Sequence, residues 1–309
     1  MSFAELQTVL ELGLICSLTV LALFLSYSML NVCDLSTDGC FTLGATMGAM
    51  VAAAGHPFLS LSAAMLAGVC SGFVVALLQT KLGINSLLAG IIVNTGLYSV
   101  NIAIMSGAAR INLTKTPTVF SMVKSVLAGT PLAGWHITVV AGTAVILAVV
   151  LLTLFLNTRL GLAIRATGNN PDMVRSSSIN PAFTTIVGLC VANALTGLSG
   201  CLMAQAQQST EINIGSGMVT IALASLLIGG TLLGRGGIFT RAVGMVLGAF
   251  LFRLVYAVAL RLDMPAFMLK LVSAIIVALA LALPYLKSQW PVISRRLSYK
   301  KALAGKEGK

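Results

Sequence analysis

Residues 137–156 read "ITVVAGTAVILAVVLLTLFL", twenty consecutive residues without a charge. A helix rising about 1.5 Å per residue crosses the hydrocarbon core of a bilayer in about that length, with every backbone group satisfied internally. The stretch therefore reads as a transmembrane helix. Composition extends that reading to the whole chain: 58% of its 309 residues are hydrophobic, 9% are charged, and the mean hydropathy is +1.00. A soluble globule would have nowhere to put so much apolar surface.

Outward from this stretch, further spans are read at 8–31, 58–80, 86–107, 182–206, 218–233, 242–260 and 268–283, with a shorter apolar segment at 41–55. The expected fold is an all-α integral membrane protein, a polytopic bundle of about 8–10 transmembrane helices with at least one short or broken helix. "DLSTDGC" precedes the short segment and "EINIGSGM" leads into the span at 218–233, so a polar, Gly/Ser-rich lead-in recurs in each half. Such a weak internal repeat of half-length helices marks the translocation path in many transporters. A full crossing by 41–55 would put the N-terminus outside, whereas a re-entrant segment would put it inside. Gly44 and Gly48, like Gly244 and Gly248, permit close helix packing.

The formal net charge is +11, but the basic residues fall between spans and in the tail at 285–309, which includes Lys287, Arg295, Arg296, Lys300 and Lys301. This pattern suits a membrane flank rather than nucleic acid. Arg159, Arg165 and Arg175, then Arg235 and Arg241, then the tail, agree on a cytoplasmic side under alternating threading, with a cytoplasmic C-terminus. The same threading places Arg110, Lys115 and Lys124 outside, against the rule. The opening "MSFAELQTVLELG" carries Glu5 and Glu11 and no basic residue, so it lacks the n-region of a cleavable signal and the first span is expected to be retained.

Several chemistries are excluded. "GGTLLGRGG" at 229–237 fails as a phosphate-binding loop, because Arg235 stands where the Lys belongs and no hydroxyl follows. His56 and His136 lie far apart, no catalytic set is present, and Cys16, Cys33, Cys40, Cys70, Cys190 and Cys201 are scattered as small packing residues with no metal-ligand spacing. The chain reads as a non-enzyme that binds no cofactor or metal. Of the eight acidic residues only Glu11 approaches a mid-span position, which weakens the alternative of a stand-alone secondary transporter or channel. A purely structural membrane subunit is a second alternative.

After the opening span comes "TRLGLAIRATGNNPDMVRSSSIN", Thr158 to Asn180. Asn170 is a good N-cap, Pro171 fits the first helical position, and Asp172 complements the positive end of the dipole, so about two turns of helix begin there. Asn180 and Pro181 repeat the device and open the next span. Met173 and Val174 are too few to hold the short helix in lipid, which leaves a groove on another protein or a loop that only maintains topology.

This stretch resembles the cytoplasmic coupling loop of permease subunits in the ribose, nucleoside and branched-chain amino acid group of bacterial ABC importers, through Thr158, Gly161, Arg165, Ala166, Gly168, Asn170, Ile179 and Asn180. "DLSTDGCFTLGA" (34–45) and "TIALASLLIGGTLLGRGG" (220–237) resemble further motifs of that group, in the same order. "INSLLAGIIVNTGLYSVNIAIMSG" and "LFRLVYAVALRLDMPAFMLKLVSAIIVALALALP" look most like an incompletely characterised branch linked to aromatic amino acids or related small molecules. One departure is Ser178, where the group often has Gly.

The resemblance implies one permease domain over 1–309 in a bacterial plasma membrane, with a coupling loop at 157–181. It also implies a second permease copy, two ATP-binding subunits that hold ATP and Mg, and an extracytoplasmic substrate-binding protein. Coupling would fall to Arg159, Gly161, Arg165, Gly168, Asn170, Pro171, Asp172 and Arg175. For the substrate pathway, Asn94, Tyr98 and Asn101 share one helix face at i, i+4 and i+7, either bonding to neighbouring helices or meeting substrate. Asp34, Ser36 and Asp38 are similar candidates, set against ordinary capping of the 41–55 helix. Arg253, in mid-span, is expected to face the protein interior beside an acidic or carbonyl partner.

Overall fold

Apolar runs of about twenty residues become helices here for the reason the sequence suggests: lipid offers no partner for a free N–H or C=O. The computed structural model describes residues 3–129, 133–234 and 236–261, together with Leu271, Ala274, Ile275 and Ala278. Helix α1 (Phe3–Leu23) runs on as a π-helical segment, Phe24–Met29. It is followed by α2 (Thr37–Ala53), α3 (Pro57–Thr80), α4 (Ser86–Ile104), α5 (Val119–Val126) and α6 (His136–Asn157). Then come α7 (Arg159–Asn169), α8 (Pro171–Ser176), α9 (Pro181–Ala206), α10 (Met218–Leu233) and α11 (Ile238–Arg261). Strands are confined among the described residues to β1 (Arg110–Asn112) and β2 (Ser209–Glu211), paired antiparallel.

Six of the described helices are long and apolar enough to cross a membrane: Ala4–Met29, Pro57–Thr80, Ser86–Ile104, His136–Asn157, Pro181–Ala206 and Ile238–Ala259. The chain is a multi-pass, all-α membrane protein. The span read at 268–283 and the tail at 285–309 lie outside the described residues except for four positions, as does Arg235.

α1 and α9 form the centre and run antiparallel, tied by Ser199 Oγ donating to Ile15 O at 2.7 Å. Onto α9 pack α2 and α3; onto α1 pack α10 and α11. The contacts are close because glycines leave room. A Cβ on Gly44 would stand 2.1 Å from Gly197 O across the α2–α9 contact, and one on Gly248 would stand 2.2 Å from Ser225 O across α10–α11. The repeat sensed in the polar lead-ins is thus a matched pair of units, each a short helix and a long one laid on one of two central helices that run in opposite directions.

The two short helices begin at mid-depth. Gly168 of α7 meets Met29 O and Leu30, which puts the end of the π segment at the α7–α8 end of the bundle. Four residues later Asp34 reaches Asn193, about twelve residues and ~18 Å into α9 from Pro181. Residues 30–36 therefore climb back to mid-depth before α2 starts, and α2 continues alongside α9 to the opposite end. Neither sequence alternative for 41–55 describes this: the helix, 17 residues and ~25 Å long, starts inside the bundle rather than at one face, yet the N-terminus lies at the end opposite α7–α8. That placement follows from Gln7 Nε2 donating to Gly134 O (2.6 Å) and Thr138 Oγ1 donating to Glu11 (3.1 Å), both beside the start of α6.

Candidate functional site

The N-termini of α2 and α10 meet where the two units face each other. Asp38, in the first turn of α2, accepts from Gly217 N at 3.0 Å and Val219 N at 2.8 Å, so its carboxylate caps α10. Thr42 Oγ1 accepts from Gly215 N at 3.2 Å. Asp34, 2% exposed, accepts from Ser36 N (2.8 Å), Ser36 Oγ (2.6 Å) and Asn193 Nδ2 (2.7 Å). Buried carboxylates persist only when hydrogen-bonded in this way.

Beside this junction a cavity of about 430 Å³ is walled by Asp38, Gly39 and Thr42 of α2, by the polar face of α4, and by part of segment 212–216. Asn94, Tyr98 and Asn101 all line it, so the structure brings that predicted trio together with Asp38. Asp34 and Ser36 are not in its lining; they lie behind it, in the hydrogen-bonded turn that opens α2. Asn101, 1% exposed, donates Nδ2 to Gly39 O at 3.3 Å, and its Oδ1 has no hydrogen-bond partner. Of the sequence alternatives for the α4 stripe, bonding to a neighbouring helix is what Asn101 does through its Nδ2.

At the other predicted site, Thr158 caps α7 by accepting from Gly161 N at 3.2 Å, a helix the sequence reading left unassigned. Gly161 packs against Phe155 O and Gly168 against Met29 O, where a Cβ would come within 2.3 Å and 2.2 Å, so these two glycines seat α7 on the bundle. Thr167 and Thr184 hydroxyls meet at 2.8 Å and add a tie to α9. Asn170 accepts from the backbone N of Asp172 and of Met173, each at 3.1 Å, and α8 follows as the capping pattern predicts.

Val174 is buried under α8, which leaves Met173, 62% exposed, as the apolar side chain that α8 presents outward. Pro171 and Asp172 are exposed too, and Arg175 lies 3.9 Å from Asp172 across one turn. Arg159 is exposed, whereas Arg165 is half-buried. Arg241, from α11, donates to Ser28 Oγ at 2.8 Å over the Phe24 ring, so the π segment is gripped from α7 and from α11. Asn180 caps α9 by accepting from Ala182 N at 2.9 Å.

Arg253 turns inward as expected, but the partner is a thiol: Nη2 donates to Cys16 Sγ at 2.9 Å, and the guanidinium lies 5.6 Å from the Tyr256 ring. Two buried amides that tie elements together are absent from the sequence reading. Asn193 orients Asp34, and Gln205 holds the start of α5 by accepting from Val119 N at 2.9 Å while donating to Ser60 Oγ at 2.7 Å. An amide inside an apolar span was the available signal for both. No group of three or more potential metal ligands occurs among the described residues.

A polar cavity opening between half-length helices inside a polytopic apolar bundle defines a membrane permease. The family model of the branched-chain amino acid transport system permease component matches residues 6–283, and the chain belongs to that family. It is 33% identical to the tyrosine transport system permease protein of Clostridioides difficile (strain R20291), over 89% of this chain and 90% of that one. It is 34% identical to an uncharacterized protein of Rickettsia prowazekii (strain Madrid E), over 72% and 76%. It is 27% identical to the autoinducer 2 import system permease protein LsrC of Yersinia pseudotuberculosis serotype O:1b (strain IP 31758), over 66% and 55%. No solved structure matches the chain. The protein is the membrane-spanning permease component of a transport system.

Proposed function

We propose that the chain pairs with a second copy and works with two separate ATP-binding subunits and an extracytoplasmic binding protein, importing a small amino acid-like solute across a bacterial plasma membrane. ATP and Mg belong to the partner subunits, and this chain performs no covalent chemistry. The family and the tyrosine permease relative support this substrate class.

The observation that carries the reading is the capped α8, held by buried Val174 yet presenting Met173, Asp172 and Arg175 to the surroundings. A helix of six residues whose exposed side is mixed apolar and charged has too little apolar surface for lipid and suits a groove on an ATPase. The α7–α8 end is then cytoplasmic, the N-terminus outside, and the C-terminal tail cytoplasmic. Motion of α8 reaches the path through α7, whose Gly168 bears on the π segment that leads to Asp34 and α2. Arg159, Arg165 and Arg175 supply positive charge toward the ATPase, while Gly161, Gly168 and Asn170 hold the device in shape. The path itself runs beside Asp38, Asn94, Tyr98 and Asn101, with Asp34 and Ser36 fixing the turn behind them.

The test is Met173→Glu in the reconstituted complex. A buried charge at a docking contact costs several kcal/mol, so substrate-stimulated ATP hydrolysis falls by about tenfold or more. The thermal stability of the purified permease stays as it was, because Met173 is mostly exposed. Undiminished stimulation would remove α8 from the ATPase contact.

A further inference from the structure

The cavity wall contains an acceptor with nothing to accept. Asn101 commits its Nδ2 to Gly39 O, which fixes the orientation of the amide and leaves the buried Oδ1 for a ligand. An unmade hydrogen bond at a buried group costs about 1–3 kcal/mol, and such orphans are rare enough in folded proteins to need a reason. The rest of the wall is polar and carries one acidic side chain and no basic one among the described residues. Asp38 contributes that carboxylate, Asn94 and Asn213 contribute amides, and Tyr98 contributes an aromatic ring.

Half-helix N-termini at mid-membrane usually attract the anionic part of a substrate. Here each end has a carboxylate of the chain beside it, and the α10 end is capped by one directly. Asp38 accepts from Gly217 and Val219 at the start of α10, and Asp34 accepts from Ser36 just ahead of α2. A fixed carboxylate thus stands at the positive end of each dipole and offsets it in part.

We infer that the cavity is a station for the ammonium group of the solute in transit, with Asn101 Oδ1 and the Asp38 carboxylate as its acceptors. An ammonium has three donors and no acceptor, which matches a wall of carboxylate and amide oxygens, and a cation is further attracted to an aromatic face such as that of Tyr98. A volume of about 430 Å³ holds a small organic cation or zwitterion. This inference rests on the transport-path reading above and says where on that path the amino group of the solute is held.

Two thiol reagents of opposite charge test it: ethylammonium methanethiosulfonate and ethylsulfonate methanethiosulfonate, applied from outside to the full importer in proteoliposomes. Ser99→Cys and, separately, Thr95→Cys place the target thiol on the cavity wall at exposed positions of α4. Modification is followed on the α4 peptide by mass spectrometry, so the native cysteines do not interfere, and rates are divided by those with a free thiol in solution. A cleft that focuses negative potential raises local cation concentration by about tenfold or more, so the ammonium reagent leads the sulfonate by at least about tenfold. Asn101→Leu in the Ser99→Cys chain lowers that lead severalfold. Equal normalised rates at both positions overturn the ammonium station while leaving the path intact. A lead that Asn101→Leu leaves unchanged overturns the part given to Asn101. No modification by either reagent at either position overturns the path reading itself.

Discussion

Ser178 shows how much one residue reveals once its backbone is known. Its φ is +60°, in the left-handed region, at the turn between α8 and α9. The resemblance already marks this position as one where Gly is frequent, and the structure supplies the reason: a Cβ in that region costs about 1–2 kcal/mol that Gly avoids. Against this stands the larger entropy Gly gives the unfolded chain, worth about 0.4–1 kcal/mol. Ser178→Gly should therefore stabilise the purified protein by about 0.5–1 kcal/mol, and Ser178→Val should destabilise it by more than that, both read from thermal unfolding. The caps at Asn170 and Asn180 were legible in the sequence because a cap is a local pattern of two or three residues. Asp34's attachment to Asn193 was not, since the partners are 159 positions apart. Asp34→Ala would leave the Asn193 amide and the turn at Ser36 without their acceptor. At about 1.5–3 kcal/mol for a hydrogen bond to a charged group, the loss should lower the unfolding temperature by several degrees.

At the scale of elements, the long apolar helices among the described residues were legible in the sequence, and of the short polar ones α8 was while α5 and α7 were not. α1 begins at Phe3 rather than at 8 because Glu5 and Glu11 interrupt the apolar pattern without interrupting the helix; Glu11 accepts from Gln7 one turn earlier and from Thr138 on α6. α5 escaped because its capping box, Thr118 with Ser121, lacks the Glu or Gln that makes such a box recognisable. α7 escaped although it is amphipathic, with Ile164 and Thr167 buried and Arg159 and Asn169 exposed. The π segment has no sequence signature, and it sits where α7 and α11 both grip the end of α1. α8 depends on its cap more than the others do, since six residues have little cooperativity of their own. Asn170→Ala removes the acceptor for the backbone N of Asp172 and Met173 and should cost about 1 kcal/mol locally. Amide exchange at 173–176 should then rise by about fivefold, while exchange in α9 is unchanged because Asn180 caps it separately.

For the whole molecule, the sequence hinted at a repeat through two polar lead-ins, and the structure turns the hint into opposed units around α1 and α9. What could not be read was the depth at which α2 and α10 begin, because depth is set by contacts such as Asp34 with Asn193 and Asp38 with Val219, not by hydropathy. That depth also decides the side of the N-terminus. Because residues 30–36 rise to mid-depth and α2 completes the crossing, α1 and α3 run in the same direction, and the N-terminus stands at the end opposite Thr158 to Asn180. Charge alone left this open, and it placed Arg110, Lys115 and Lys124 on the side that basic residues avoid. The structure puts Arg110 at the end of the bundle opposite α7–α8: it pairs with Glu211 in the β1–β2 ladder and donates to Ser209 Oγ, at the same end as the start of α6. A protease site inserted between Ser176 and Ser177 should be cut in inside-out vesicles and protected in right-side-out ones. A site at the N-terminus and another between Thr114 and Lys115 should behave in the opposite way. Cleavage of the N-terminal and 176–177 sites from the same side would mean that α2 does not complete the crossing begun by residues 30–36, and the arrangement of opposed units would fall with it.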